Sequence, residues 1–252
     1  MASDDIQAAK SVIAQANNIL VITGAGISAE SGLPTYRGIS GLYNDEKTIE
    51  GYHIEEAISG RILALHPKVT WKYLLQIEEA CRKAQPNQAH YQLAQLEQQK
   101  RVLILTQNID GFHHAAGSSE IIDIHGNLHK LECMRCGDRF GVTSYQGFAL
   151  PPLCKHCGGV IRPQVVLFGE MLPERKLRWL YEEMEKGFDL VISIGTTSLF
   201  PYIAGPVLQA HRDGVPTIEI NPEPTEVTPY VDYVFPLGAV AALDQLLADE
   251  SR

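Results

Sequence analysis

The sequence predicts an α/β fold: a parallel β-sheet covered by helices on both faces, with a second, smaller lobe inserted into it. Three observations lead there. Short, almost wholly apolar runs recur along the 252 residues, at 19–23, 102–106, 121–124, 165–168, 190–194 and 217–220. Helical stretches separate several of them, and strands apolar on both sides belong to sheets buried on both faces. Two longer stretches, 38–86 and 126–162, break that rhythm, and the second holds four of the five cysteines.

The elements follow in order. Ser3 and Asp4 are placed to cap a first helix whose Ile6, Ala9 and Ile13 fall near helical spacing, and Asn17-Asn18 ends it. Strand 19–23 (ILVIT) then enters the loop GAGIS. Residues 38–86 read as polar and helical, with a long amphipathic run over 68–84. Further helices are expected over 87–97, 173–186 and 201–212. The last two start at Pro and stop at Gly187 and Gly214, the usual asymmetry of helix ends. The domain organisation read this way is a sheet domain from 1–37, 87–125 and 163–252. A small domain is built from a helical module, 38–86, and a cysteine-bearing module, 126–162.

Composition narrows the function classes. A formal charge of −9 argues against a nucleic-acid backbone as the main partner, since a polyanion is repelled. The first residues, MASDDIQAAKSVIAQANN, carry two early acids and no apolar segment, so no secretory signal is expected. No apolar run approaches the ~18 residues of a membrane span. A soluble, cytoplasmic chain is the expectation, and there five cysteines serve metal binding or packing better than disulfides.

Cys133-x-x-Cys136 and Cys154-x-x-Cys157 have the spacing of a zinc ribbon. Two thiolates at i and i+3 grip one ion, and two such knuckles complete a tetrahedron of soft ligands suited to Zn²⁺. Four protein ligands leave no position for water, so the metal is expected to be structural. The bland alternative is four unrelated buried cysteines. His156, inside the second knuckle, is a competing ligand that four thiolates make unnecessary, and Cys81 on the 68–84 run reads as packing.

After the first strand comes GAGISAESG (24–32). Glycines at a strand-to-loop turn let backbone amides approach a pyrophosphate. The spacing departs from G-x-G-x-x-G, because position 29 is Ala. A lone G-x-G is weak evidence, and no hydride-transfer constellation accompanies it. Arg37 is the nearby cation, either a phosphate ligand or a surface arginine.

Taken together the motifs become specific. GAGISAESGLPTYRG (24–38), TQNIDGFHHAAG (106–117), HGNL (125–128), the cysteine quartet, RPQVVLFGE (162–170), GTTSLFPY (195–202) and EIN (219–221) occur in one order. The chain from about 10 to 245 resembles the sirtuin family of NAD-dependent protein lysine deacylases, in its bacterial-type form with Thr35 in the cofactor loop. The resemblance implies a Rossmann-like sheet domain and a small domain of a helical and a zinc-binding insert. NAD, the co-substrate, and an acylated lysine enter the cleft between them. Gly24, Ala25, Gly26 and Ser28 match the phosphate loop, and Arg37 the arginine of the cofactor loop. Gln107, Asn108 and Asp110 match the nicotinamide-ribose pocket. Gly195, Thr196 and Thr197 match a second NAD turn, and Asn221 a residue near the adenosine ribose. His125 matches the catalytic histidine, with Asn108 beside it. Val166, Phe168, Gly169 and Glu170 fall where the family pairs its peptide substrate as an added strand; the alternative is a plain core strand, and the two readings can hold for different residues. His113 matches a structural position, and His114 reads as an exposed neighbour.

The implied chemistry begins with nicotinamide leaving C1′ of the ribose as the acyl oxygen attacks, giving an O-alkyl-amidate. Asp110 accepts a hydrogen bond from the carboxamide, and Asn108 orients a ribose hydroxyl or a water. His125 then takes a ribose-hydroxyl proton so that this oxygen attacks the intermediate, releasing lysine and O-acyl-ADP-ribose. An imidazole whose ordinary pKa is about 6.5 suits that transfer. One departure bears on substrate choice. Family members that prefer succinyl or malonyl lysine carry Tyr-x-x-Arg on the amphipathic helix, whereas here the counterpart is Tyr73-Leu74-Leu75-Gln76. A neutral amide cannot replace a bidentate guanidinium on a buried carboxylate, so an acetyl preference is expected. The alternatives are a deacylase for longer chains, a mono-ADP-ribosyltransferase or NAD glycohydrolase, and a non-catalytic NAD sensor.

Overall fold

The computed structural model describes residues 3–34 and 48–248. The chain opens with helix α1 (Ser3–Gln15), strand β1 (Asn18–Thr23) and the short helix α2 (Ala25–Ala29). Next among the described elements come α3 (Ile54–Ala57), α4 (Gly60–Leu65), α5 (Pro67–Lys83), α6 (Gln88–Leu96) and β2 (Arg101–Thr106). Helix α7 (Phe112–Ala116) and β3 (Ile121–Asp123) lead into β4 (Gly126–Cys133), β5 (Arg139–Gly141) and β6 (Ile161–Val165). The chain closes with α8 (Glu174–Lys186), β7 (Leu190–Ile194), α9 (Pro201–Asp213), β8 (Thr217–Ile220), β9 (Tyr233–Phe235) and α10 (Ala239–Leu247).

Six strands form one sheet in the order β3-β2-β1-β7-β8-β9, every neighbouring pair parallel. Counted within this sheet alone, that is the 3-2-1-4-5-6 order of a doubly wound fold, reversing between β1 and β7. Strands β1, β2, β3, β7 and β8 are buried on both faces, as their composition requires. One face packs Val21, Ile104 and Ile192 against α1, α6 and α10; the other packs Leu20, Leu103 and Val191 against α8 and α9. The remaining strands form an antiparallel sheet, β5-β4-β6. Leu128, Leu131, Trp71 and Tyr145 build its core, and the Trp71 indole donates to Ile161 O (2.9 Å), fastening α5 to β6.

The apolar run 165–168 is not a strand of the parallel sheet. The strand there is β6, which ends at Val165 and runs antiparallel to β4. A parallel pairing needs a crossover long enough to carry the chain back, usually a helix, and no helix lies between β3 and β6. The sixth parallel strand is instead β9, an edge strand of three residues. Helix ends shift by a residue or so from expectation: Asn87 and Pro173 stand outside α6 and α8 as N-caps, and the Asn87 side chain accepts from Ala89 N (3.0 Å). Among the described residues no helix is long and apolar enough to cross a membrane.

Candidate active site

The sheet's reversal point brings two loops together, backbone against backbone. Gly24 N–H donates to Ile194 O (3.1 Å) and Gly26 N–H to Gly195 O (2.8 Å). A Cβ on Gly26 would lie 2.5 Å from Gly195 Cα. Gly195 is the more constrained: its φ is +60°, and a Cβ there would meet Ile27 N at 2.5 Å. Only glycine fits both demands. This explains the glycines of both motifs before any ligand is considered.

The loop after β2 reaches over this junction. Asn108 donates its side-chain amide to Gly24 O (3.0 Å) and Ser28 Oγ (3.2 Å), and the Ser28 hydroxyl donates to Asp110 Oδ2 (2.8 Å). Phe112 N–H donates to Asp110 Oδ1 (2.9 Å). Burial pushes the Asp110 carboxyl above its ordinary value, opposed by the Phe112 and Ser28 bonds. Ala25, Ser28, Asn108 and Asp110 line a cavity of about 120 Å³, whose other wall is Ile54, Ile58, Tyr73, Gln76 and Cys81. The neighbouring Gln107 donates to Thr196 Oγ1 (2.7 Å), and Asn221 donates to Thr196 O (3.0 Å). Thr197 is exposed beside them.

His125 is joined to the same loop. Its Nδ1 lies 2.9 Å from Gln107 O; a carbonyl only accepts, so the neutral ring carries its proton on Nδ1. Nε2 therefore offers a lone pair, which meets the Tyr202 hydroxyl at 2.7 Å. Burial holds the imidazole below its ordinary pKa, with the Lys176 ammonium acting in the same direction. A neutral ring with a lone pair is the form a general base needs.

The segment after β6 runs past His125. Val166 N–H donates to His125 O (2.8 Å), while Phe168 N–H donates to Ile58 O (3.2 Å) and Gly60 N–H to Phe168 O (3.1 Å). Gly169 turns with φ +79°, and Glu170 pairs with Arg162 (2.6 Å) and accepts from Leu167 N (2.9 Å). The Tyr73 hydroxyl donates to Glu50 Oε2, and Lys72 pairs with the other Glu50 oxygen (2.6 Å).

Cys133, Cys136, Cys154 and Cys157 bring their sulfurs within 4.8 Å of one another, with 3.4 Å between Cys133 and Cys157 and 3.8 Å between Cys136 and Cys154. Four sulfurs at ~2.3 Å from a tetrahedral Zn²⁺ stand ~3.8 Å apart, so the cluster fits the ion. His156 faces Asp138 (3.7 Å) and is not part of it.

Comparison with known proteins matches these features as a set. A model of the Sir2 family matches residues 24–200. The chain belongs to the Sir2 family. It is 48% identical over 244 residues to NAD-dependent protein deacylase 2 of Pseudomonas syringae pv. tomato, covering 95% of this chain and 98% of that one. It is 38% identical over 237 residues to NAD-dependent protein deacylase 1 of Archaeoglobus fulgidus, covering 93% and 94%. Among solved structures it is similar to a Sir2 homolog in complex with NAD, with a TM-score of 0.84, 37% identity and coverage of 96% and 92%. It is also similar to a Sir2–p53 peptide–NAD⁺ structure, with a TM-score of 0.80, 27% identity and coverage of 94% and 95%. These likenesses bear out the Sir2 fold, a Rossmann-like sheet domain beside a Cys₄ cluster that fits a zinc ribbon.

The Sir2 fold thus gathers Gly24, Ala25, Gly26, Ser28, Gln107, Asn108, Asp110, His125, Gly195, Thr196 and Asn221 around one junction; Arg37 lies outside the described residues. His113 is buried with its Nε2 2.9 Å from Thr23 Oγ1, and His114 is exposed beside Asp123 (3.7 Å). Cys81 is buried in the wall of the cavity, where burial pushes its thiol up to about 12. Two residues escaped the sequence. Ser198 is a buried non-glycine residue at φ 55°, and Tyr202 caps the histidine. The only signal for either is the run Ser198–Tyr202 directly following a glycine-threonine turn.

Proposed function

We infer that this chain is an NAD-dependent protein deacylase that removes acyl groups from lysine side chains. One observation carries the reading: Asn108, Ser28 and Asp110 are hydrogen-bonded around a cavity at the sheet's reversal point, and the adjacent Gln107 carbonyl fixes an imidazole with its basic nitrogen turned away from the backbone, toward the Tyr202 hydroxyl. A non-catalytic NAD sensor has no use for that base. NAD, when bound, supplies an activated ribose carbon with nicotinamide as the leaving group.

The chain's own residues do the rest. Gly24, Ala25, Gly26 and Ser28 form the loop that the diphosphate approaches, the glycines admitting it by carrying no side chain, with Gly195, Thr196 and Thr197 facing them and Asn221 holding the adenosine side. Asp110 accepts from the nicotinamide carboxamide, Asn108 orients a ribose hydroxyl or water, and His125 removes the hydroxyl proton at Nε2. Val166, Phe168, Gly169 and Glu170 line the peptide's path, and the cysteine quartet holds a structural Zn²⁺. We assign 1–37, 87–125 and 163–252 to the NAD-binding domain and the two inserts to the small domain, with β6 straddling the join.

The acyl end is read as neutral, acetyl first. Gln76 offers no cation, and Tyr73 already donates to the Glu50 carboxylate. A succinyl carboxylate would find neither a guanidinium at Gln76 nor a free phenolic donor at Tyr73. Mass spectrometry of products from NAD with acetylated, succinylated and fatty-acylated forms of one peptide tests this. We expect O-acyl-ADP-ribose with kcat/KM for acetyl at least ~100-fold above succinyl, about 3 kcal/mol of discrimination. A succinyl preference would overturn the acyl assignment. Nicotinamide released without any acyl peptide would favour NAD hydrolysis or ADP-ribosyl transfer instead.

A further inference from the structure

We propose that Tyr202 belongs to the proton path of this enzyme, its hydroxyl carrying protons between a substrate hydroxyl and His125 Nε2. The inference rests on the deacylase reading and adds a residue to it. With Nδ1–H committed to Gln107 O, the only basic atom of the ring is Nε2, and the Tyr202 oxygen stands 2.7 Å from it. Any proton reaching Nε2 in this arrangement has to pass that oxygen or displace it.

Displacement is opposed by packing. Tyr202 and Phe200 stack with centroids 5.4 Å apart and planes 15° from parallel, and both meet the imidazole edge-on, at 5.9 and 6.4 Å. Tyr202 also sits in the first turn of α9, immediately after the turn that carries Gly195 and Thr196. It is therefore fixed by the same loop that builds the NAD side of the site. Burial pushes its phenol up to about 12, so at neutral pH it is a donor that does not ionise.

The transfer balances without a phenolate. A substrate hydroxyl gives its proton to the Tyr202 oxygen while the phenolic proton moves to His125 Nε2. The electron pair left on the substrate oxygen forms the bond to the acyl carbon of the O-alkyl-amidate, whose C=N π pair moves onto the lysine nitrogen. Tyr202 ends neutral, and His125 ends as the imidazolium.

Two measurements test the proposal. In ¹⁵N-histidine NMR of the free protein, Y202F should keep the Nδ1–H tautomer while the Nε2 resonance moves toward that of an unbonded pyridine-type nitrogen; an unmoved resonance refutes the contact. In assays with NAD and acetyl peptide, Y202F should lower deacylation kcat about 100-fold, while acyl-peptide-dependent nicotinamide exchange, which precedes the proton transfer, persists. Deacylation as fast as or faster than wild type would make the phenol a mere cap, and exchange falling in step with deacylation would make it a packing residue. Either result overturns the relay. Should Y202F fold poorly, a proton inventory on the unaltered enzyme still decides: curved for two protons in flight, linear for one. If the unaltered enzyme deacylates nothing, the function reading fails, whereas the NMR arm continues to report on the contact.

Discussion

The six-stranded and three-stranded sheets lie in one chain but are held by different forces. The larger sheet is buried on both faces: β1, β2, β7 and β8 have nearly every residue inside, packed into two apolar clusters. The smaller has one apolar side, sealed by Trp71 and Tyr145, and a β5 strand exposed along its whole length. Burial at ~25 cal/mol per Å² suffices for the first. The second is covered on one side, and its far end closes on four thiols. The difference teaches that apolar burial builds the platform for the loops, while a metal ion closes the end of the smaller sheet that packs behind the helical wall.

The largest expected effect comes from breaking that division at the metal. Removing Zn²⁺ with a chelator, or replacing Cys136 by Ser, withdraws a contribution that reaches ~10 kcal/mol in small zinc domains. Hydrogen exchange should show amide protection lost across β4, β5 and β6 and kept across β1, β2 and β7. Loss of protection in both sheets together would show that the two regions are not separately stabilised.

A smaller but sharper effect is expected at the opposite pole. Gly195→Ala forces a Cβ to 2.5 Å from Ile27 N at a φ of +60°. Clash and backbone strain together should cost on the order of 4 kcal/mol. Because the damage falls where the NAD loops meet, NAD affinity should drop while the zinc content stays at one ion per chain. Unchanged NAD binding by calorimetry would mean that the junction tolerates a side chain.

The two regions also differ in how plainly the sequence shows them. Runs such as ILVIT at 19–23 and LVISI at 190–194 are apolar on both sides, which only a doubly covered strand requires. The cysteine spacing is equally direct, since the chemistry of one ion dictates it. The VVLF run at 165–168 looks the same by composition yet leaves the sheet, because apolarity does not encode the partner strand's direction. Strand β9 is too short and too exposed at its edge to announce itself. Asn108, Asp110 and His125 were legible only through motif order, and Tyr202 was legible only as the end of the GTTSLFPY run, without its role. Its partner is 77 residues away, and no local pattern marks a contact made by tertiary packing.

The smallest expected effect separates the two regions by pH. His90 and His113 lie buried between α6 and α7, ring centroids 5.0 Å apart, and His90 Nε2 and His113 Nδ1 have no partner among the described residues. Burial drives His90 down to about 4 and pulls His113 the same way. With the folded value below the unfolded one, the unfolded chain binds the extra proton between about pH 6.5 and 4. Stability linked to His90 is thus fully present above 6.5 and drains away as the pH falls toward 4. Between pH 7 and 5 that loss is about 2 kcal/mol. Denaturant unfolding of His90→Gln against wild type should recover that difference at pH 5, whatever the acid sensitivity of the cysteine ligands, because both proteins share those ligands. Equal losses in the two proteins would mean that burial does not hold His90 below its ordinary value and that the acid weakness of the chain lies elsewhere.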